Sequence, residues 1–352
     1  MPHVPAVSPT RRRILAAGAA LGLGALATAC GDDKKDGAGN TGNTGGTTAP
    51  NGGSADGAWS FRDDRGQDVS AKKRPKKIVA FVGSAAALYD YGIECIGVFG
   101  PTKGTDGKPN VQAGDMDISK LTILGEEWGQ FSVEKYAALQ PELLVSAVYD
   151  ANTLWYVPDD SADKILPLAP SVGIRVAKVS LTEPLARNAE LAASLGADLN
   201  APKAVDAKKR FETASETLRQ AAKTAGGLKV MAASAAAEQF YVSTPDPSAD
   251  LRYFKELGVE FVLPKNLDAD GYYEVLSWEN AGTYQADVIM MDNRSVALQP
   301  KDLTNKPTWN ELPAVKAGQV IPWASEPRFT YAGVAPLIEE LAAAVQKSRK
   351  LA

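Results

Sequence analysis

Short apolar runs alternate with longer amphipathic stretches through most of this chain, and that alternation sets the predicted elements. Residues 78–82 ("IVAFV") form an apolar run behind a basic, proline-containing approach and read as a strand. "SAAALYDYGIE" then reads as a helix capped by Ser84, and "CIGVFG" as a second strand ended by Gly100 and Pro101. "LTILG", "ELLVSAV" and "VAKVS" supply further short strands between helical runs. The second half repeats the habit with "KVMAASA", "QFYVST", a helix around "DLRYFKELGVEF", then "DVIMMD" and "VIPWAS". A helix from about Pro336 to Lys350 closes the chain. Short strands separated by helices favour mostly parallel sheets covered on both faces.

Between the halves lies "EPLARNAELAASLGADLNAPKAVDAKKRFETASETLRQAAKTAGG", rich in Ala, Leu, Glu, Lys and Arg, all strong helix formers. Asn200 is placed to cap a helix, Pro202 sits near its start, and Gly226 and Gly227 end it. One long helix joining two sheet lobes accounts for the stretch. A helical hairpin inside one domain is the other arrangement the pattern allows.

The two halves also share a sentence. "FSVEKYAALQPELLVS" and "LSWENAGTYQADVIMM" superpose at an offset of 145 residues, from Ser132 to Ser277. In that register Glu134 meets Glu279, Gln140 meets Gln285 and Glu142 meets Asp287, and each stretch runs into an apolar strand. A carboxylate in a helix's first turn is favoured by the helix dipole and stays available to a partner. From the residues alone, Glu134 and Glu279 are read either as docking points or as acids that only complement their own helix ends.

The N-terminus departs from this pattern. Arg11, Arg12 and Arg13 precede a small-residue apolar run, 14–29, that is short of the roughly 20 residues a spanning helix needs. Residues 1–29 are therefore expected to be an export signal peptide, with twin-arginine character in "TRRRIL". "LATAC" resembles a bacterial lipobox, with Ala27 where leucine is usual, and makes Cys30 the expected lipidation site. Residues 30–57 hold no large apolar side chain and are expected to be a disordered tether. With Cys30 acylated, Cys95 has no partner and no structural disulfide is expected. The remaining organisation is an N-terminal lobe over 58–183, a linker helix region over 184–226 and a C-terminal lobe over 227–352.

Composition narrows the function. A chain of 352 residues with 45 % hydrophobic content supports two ordinary domains, and a formal net charge of −4 leaves no basic excess for nucleic acid. His3 is the sole histidine and falls inside the leader, so a Ser-His-Asp triad is excluded, as is haem ligation by histidine. Naked zinc or manganese carriers usually need histidine too, and no protein metal site is expected. No G-x-S-x-G elbow, P-loop or H-E-x-x-H is present, so no enzyme is expected.

At this point the residues carry a resemblance. "FRDDRGQDV", "RPKKIVAFVGSAAALYDYGIECIGVFG", "SVEKYAALQPELLVS" and "TWNELPAVKAGQVIPW" resemble the iron-siderophore and cobalamin class of ABC-transporter substrate-binding proteins, and within it the actinobacterial siderophore-binding lipoproteins. The resemblance spans about residues 58–350. It implies two Rossmann-like α/β lobes joined by a single long helix, with the ligand in the cleft between them. It also implies an extracytoplasmic lipoprotein, monomeric and anchored through Cys30, that delivers its ligand to a permease dimer with a cytoplasmic ATPase. Glu134 and Glu279 match the carboxylates that dock such proteins onto basic permease residues.

Aromatic residues cluster where strands end, which is where open α/β sheets bind ligands. Trp128, Tyr149 and Trp155 do so in the first half, Tyr272, Tyr273 and Trp278 in the second, and Trp323 and Tyr331 near the end. Arg252 and Arg328 accompany them. These ten residues are the candidate ligand contacts, and likeness to hydroxamate binders favours Trp128, Tyr149, Tyr272 or Tyr273, and Tyr331. Three hydroxamates cancel the charge of ferric iron, whereas a tris-catecholate keeps a large negative charge and calls for several basic residues. Two arginines beside Glu126, Glu127, Asp150, Asp159 and Asp160 suit a ferrioxamine-type hydroxamate. The siderophore, not the protein, would hold the iron. Cobalamin or another bulky metal chelate is the alternative ligand.

Overall fold

The computed structural model describes residues 57–104 and 107–351. The expected signal peptide, Cys30 and all but the last residue of the expected tether lie outside the described residues. The first lobe opens with a hairpin, β1 (Trp59–Arg62) and β2 (Asp68–Ala71). It continues through β3 (Ile78–Phe81), α1 (Val82–Asp90), β4 (Gly97–Phe99), β5 (Thr122–Ile123), α2 (Val133–Leu139), β6 (Leu143–Val148), α3 (Ala162–Ile165), β7 (Ser171–Arg175) and α4 (Thr182–Ser194). Strands β5-β4-β3-β6-β7 form one fully parallel sheet.

After α5 (Pro202–Ala225) the second lobe runs β8 (Lys229–Ala235), β9 (Gln239–Ser243), α6 (Ala249–Glu256), β10 (Glu260–Phe261), β11 (Tyr273–Ser277) and β12 (Val288–Asp292). It ends with α7 (Pro307–Glu311), α8 (Pro313–Lys316), β13 (Val320–Trp323) and α9 (Tyr331–Lys347). Its sheet is ordered β11-β9-β8-β12-β13, with β10 also on β8. Strands β8, β10, β12 and β13 are parallel, while β9 and β11 turn back antiparallel. Two α/β lobes with mostly parallel sheets and one long helix between them is thus the architecture. No helix among the described residues is long and apolar enough to cross a membrane.

The continuous apolar runs are explained by burial on both faces. Along β12, Val288 and Met290 join the core shared with α5, α9 and the first lobe. Ile289 and Met291 point the other way, into a separate core with Phe240, Trp278 and Trp309. The helix α5 packs along α9, clasped by a bidentate Arg210–Glu339 pair at 2.7 and 2.6 Å.

Three local expectations are corrected. Ser84 does not cap α1: the helix starts at Val82 directly off β3 with Phe81 at its N-cap, and Ser84 is buried inside its first turn. The fifth strand of the first sheet is "SVGIR", not "VAKVS". Gly173 weakens β propensity, but a side chain there would strike Val148 and the Arg65 side chain that the hairpin lays against β7. Residues 176–180 instead leave the sheet, with Lys178 at φ +61° donating its backbone N–H to Pro247 of the second lobe. The helical stretch between the lobes is two helices. Here α4 packs on β1 and β7 and the chain breaks at Gly196 (φ +102°), so α5 alone makes the crossing. Asn200 does not cap it; Ala201 holds the N-cap, Pro202 the first turn, and Gly226 ends it in the left-handed conformation.

Candidate functional site

The carboxyl ends of β6 and β12, each an interior strand next to the last of its sheet, carry the site. Tyr149 follows β6 directly, and the loop after it holds Ala151, Asn152 and Tyr156 at positive φ (+46°, +60° and +61°). For tyrosine that conformation costs about 1–2 kcal/mol, which must be repaid by the contacts it makes. Tyr156 lies 5.3 Å from the ring of Phe81 and 5.1 Å from Trp128. Trp155 bridges Tyr149 at 4.6 Å and Trp128 at 4.7 Å. Three of the expected residues, Trp128, Tyr149 and Trp155, therefore gather into one aromatic cluster on the first lobe. Trp128 is its exposed member, at 47 %.

Across the cleft stands a group that sequence reasoning missed. Asp292, the last residue of β12, is fully buried and accepts hydrogen bonds from Ser234 and Ser325 at 3.0 Å and from the Arg294 guanidinium at 2.7 Å. Burial alone would raise its carboxyl pKa, but the arginine outweighs that and holds it below the usual range. The far nitrogen of Arg294 pairs with Glu326, whose other oxygen accepts from Gln112 of the first lobe at 2.7 Å. Asn110 makes a second link between lobes, to Ser295 at 3.0 Å. Burial pushes the Tyr149 phenol well up; Glu326 adds to that shift and Arg294 opposes it. Tyr156 feels the same pair in the same senses, so both phenols lie within electrostatic reach of the Arg294–Glu326 ion pair. Tyr149 and Glu326 also line one small cavity with Phe81 and Phe329. The signal was present: "DVIMMDNRS" places charges immediately after an apolar strand.

The other expected residues are distributed differently. Tyr272 is half-buried beside Lys178, whose ammonium lies 6.0 Å from its ring and pairs with Asp150 at 3.0 Å. Its hydroxyl and the Trp155 indole N–H are buried without a protein partner, two donors aimed at no acceptor. Tyr273 packs edge-on against Tyr241, and Arg252 folds back onto the carbonyl of Asp246 at 2.9 Å. Trp278 is a core residue, its indole donating to the carbonyls of Ala236 and Ala237 at 3.1 and 3.0 Å. Tyr331 opens α9 and stacks edge-on against Phe211 of α5. Arg328 joins the lobes, donating to Asp90 at 3.0 Å and Asp115 at 3.2 Å.

Trp323 is buried and donates its indole N–H to Asp250 at 2.6 Å. Burial raises the Asp250 carboxyl to about 6 despite that hydrogen bond. The folded chain thus binds this proton more tightly than the unfolded chain, and stability falls as pH rises from about 4 through 6. In Asp250→Asn the dependence is expected to vanish, so the stability difference from the parent changes by roughly 2 kcal/mol between pH 4 and 7. Denaturant titrations at each pH measure this, and a pH-independent difference would contradict it.

The repeated stretches are alike where they enter the sheets and unlike where they begin. Glu142 accepts from Lys77 N–H at 3.1 Å and returns its own N–H to Lys77 O at 2.8 Å. Asp287 does the same with Lys229, at 2.7 and 2.8 Å, so each acid pins its strand to the adjacent one. Ser132 caps α2 through the Lys135 N–H, and Glu134 is exposed in the first turn. The second copy is only a 3-10 turn, Trp278–Thr283; Ser277 accepts from the Asn280 side chain there, and Glu279 is exposed.

Cys95 is buried and unbonded, with burial pushing its thiol up to about 12. No group of three or more His, Cys, Asp or Glu among the described residues converges as a metal site.

A model of the periplasmic binding protein family matches residues 84–327. Among solved structures, DesE, a ferric-siderophore receptor protein from Streptomyces coelicolor, is similar at 53 % identity and a TM-score of 0.81, over 84 % of this chain and 100 % of that one. The siderophore periplasmic binding protein from the fuscachelin gene cluster of Thermobifida fusca shares the fold at 21 % identity and a TM-score of 0.55, over 77 % and 96 % of the two chains. Staphylococcus aureus SirA, solved with staphyloferrin B, does so at 18 % and 0.56, over 81 % and 97 %. No curated protein sequence matches. With that family pattern running from α1 through the loop that bears Glu326, the chain belongs to the periplasmic binding protein family, whose members are substrate-binding proteins and not enzymes.

Proposed function

We propose that this protein captures a ferric siderophore of hydroxamate type outside the cytoplasm and delivers it to an ABC permease. The observation that carries the reading is the aromatic cluster of Tyr149, Trp155 and Tyr156, with Tyr149 sharing a small cavity with Glu326 and the Arg294 guanidinium on that carboxylate. Aromatic faces suit a bulky chelate with apolar linkers, and one arginine suits the iron-bound oxygens of a complex whose core is neutral. A tris-catecholate would leave several negative charges unmatched. Likeness to a ferric-siderophore receptor over its whole length supports the same class.

In this reading Tyr272 adds its unpartnered hydroxyl from the second lobe. Glu134 and Glu279, one exposed on each lobe, dock on basic permease residues. Cys30 carries the lipid that holds a monomeric protein at the outer face of the membrane. Titrating the body from about Ser54 onward with a ferric tris-hydroxamate is expected to quench tryptophan fluorescence, chiefly Trp128 and Trp155. Affinity should be micromolar or tighter, about −8 kcal/mol or better. No quenching by any such chelate, with clear quenching by cobalamin, would move the protein to vitamin transport.

A further inference from the structure

The charge around the cleft is unequal. Among the described residues, Arg294 lies near Tyr149 and Lys178 near Tyr272, and Lys178 is already paired with Asp150. Against them stand Asp292 and Glu326 beside Arg294, Glu127 near Tyr156, and Asp268 and Asp270 near Tyr272. Glu127 is exposed and screened by water and salt, and Asp268 and Asp270 are partly so. Glu326 is not: its side chain is 11 % exposed and lies between the two lobes, on Arg294 and Gln112. Asp292 alone balances Arg294, being buried with three kinds of donor on its carboxylate. The charge of Glu326 is therefore surplus to the arginine's needs, and it sits in a poorly solvated place where a charge acts strongly on a ligand.

We propose that Glu326 is the residue that selects the ligand by charge, admitting cationic and neutral ferric chelates and excluding anionic ones. The inference rests on the reading that the cleft holds a ferric chelate. It assigns Glu326 a role that neither an aromatic platform nor an arginine supplies, because both would accept an anion as readily as a neutral complex. An approaching anionic chelate meets a carboxylate that Arg294 can satisfy only by abandoning the ligand. A cationic one finds the surplus charge already placed. Selection of this kind works by repulsion of the wrong partner.

The test uses three probes with one iron centre: a linear ferric tris-hydroxamate with a free terminal amine, its N-acetyl form and its N-succinyl form, which are cationic, neutral and anionic. The parent protein is expected to bind the cationic form at least about tenfold more tightly than the anionic form, with the neutral form between. Glu326→Gln keeps the shape and, through its single amide oxygen, the hydrogen bond donated by Gln112 while giving up the one from Arg294, and should collapse that ratio towards unity. Glu326→Asp keeps the charge and should retain the ratio even if all three affinities fall. A parent that binds the three forms equally overturns the proposal without needing any variant to fold. So does Glu326→Gln weakening all three alike, which would make Glu326 a latch between the lobes and no more. If none of the three binds the parent, the ferric-chelate reading itself fails, and the role of Glu326 with it.

Discussion

Arg294→Ala is expected to cost stability and ligand together. Removing the guanidinium leaves Asp292 ionised, fully buried and held only by neutral donors, the hydroxyls of Ser234 and Ser325 and the backbone N–H of residue 294. An uncompensated buried charge of this kind costs about 3–5 kcal/mol. For a body of this size that is on the order of 10 °C in Tm. The pH dependence should invert as well. In the parent, Asp292 has a depressed pKa, so its contribution is present at neutral pH and lost as pH falls through the carboxylate range. In the variant the lone carboxyl titrates upward, so acidification relieves the cost instead. Asp292→Asn in the Arg294→Ala background should recover much of the loss, since the unpaired charge is gone. Ferric hydroxamate affinity should stay low in that double variant, because the donor near Tyr149 is still absent. Melting of Arg294→Ala within a degree or two of the parent would refute this account of the cluster.

Glu134→Lys with Glu279→Lys is expected to abolish most uptake while sparing the purified protein. Both side chains are exposed, and neither makes an ion pair among the described contacts. Melting temperature and ferric hydroxamate affinity should match the parent. Cells relying on the double variant should take up the ferric chelate at least about tenfold more slowly, because charge reversal puts repulsion in place of attraction on both lobes. The asymmetry of the two sites makes the single variants informative. Glu134 stands on a capped α-helix that presents it rigidly, whereas Glu279 rides a short 3-10 turn beside Lys306, so Glu134→Lys should do more harm. Normal uptake by the properly exported double variant would leave the two glutamates as simple helix-end acids.

The elements that sequence alone made legible are those governed by local pattern. Apolar runs such as "KVMAASA" and "DVIMMD" coincide with β8 and β12 because a strand buried on both faces needs nothing but apolar side chains. The shared sentence was legible for the same reason: an acid just before each strand satisfies the first N–H of its neighbour, at Lys77 and Lys229. Pro202 and Gly226 marked the ends of α5 through backbone conformations those residues favour anywhere.

Which side chains face the cleft was settled elsewhere. Trp278 and Trp323 look like Trp128 and Trp155 in sequence, each aromatic near a strand end, yet the first pair lies in cores. Trp323 is drawn inward by Asp250, 73 residues away, and Trp278 by the carbonyls after β8. Arg328 looked like a ligand contact until Asp90, 238 residues earlier, claimed its guanidinium. Arg294 became the cleft's guanidinium because Asp292 anchors it and Glu326 meets Gln112 from the other lobe, 214 residues away. Periodicity reports whether a position is buried, since burial recurs with the helical or strand repeat along one segment. It cannot report against what, because a charge or an indole is oriented by partners that only the packed lobes bring within hydrogen-bond reach.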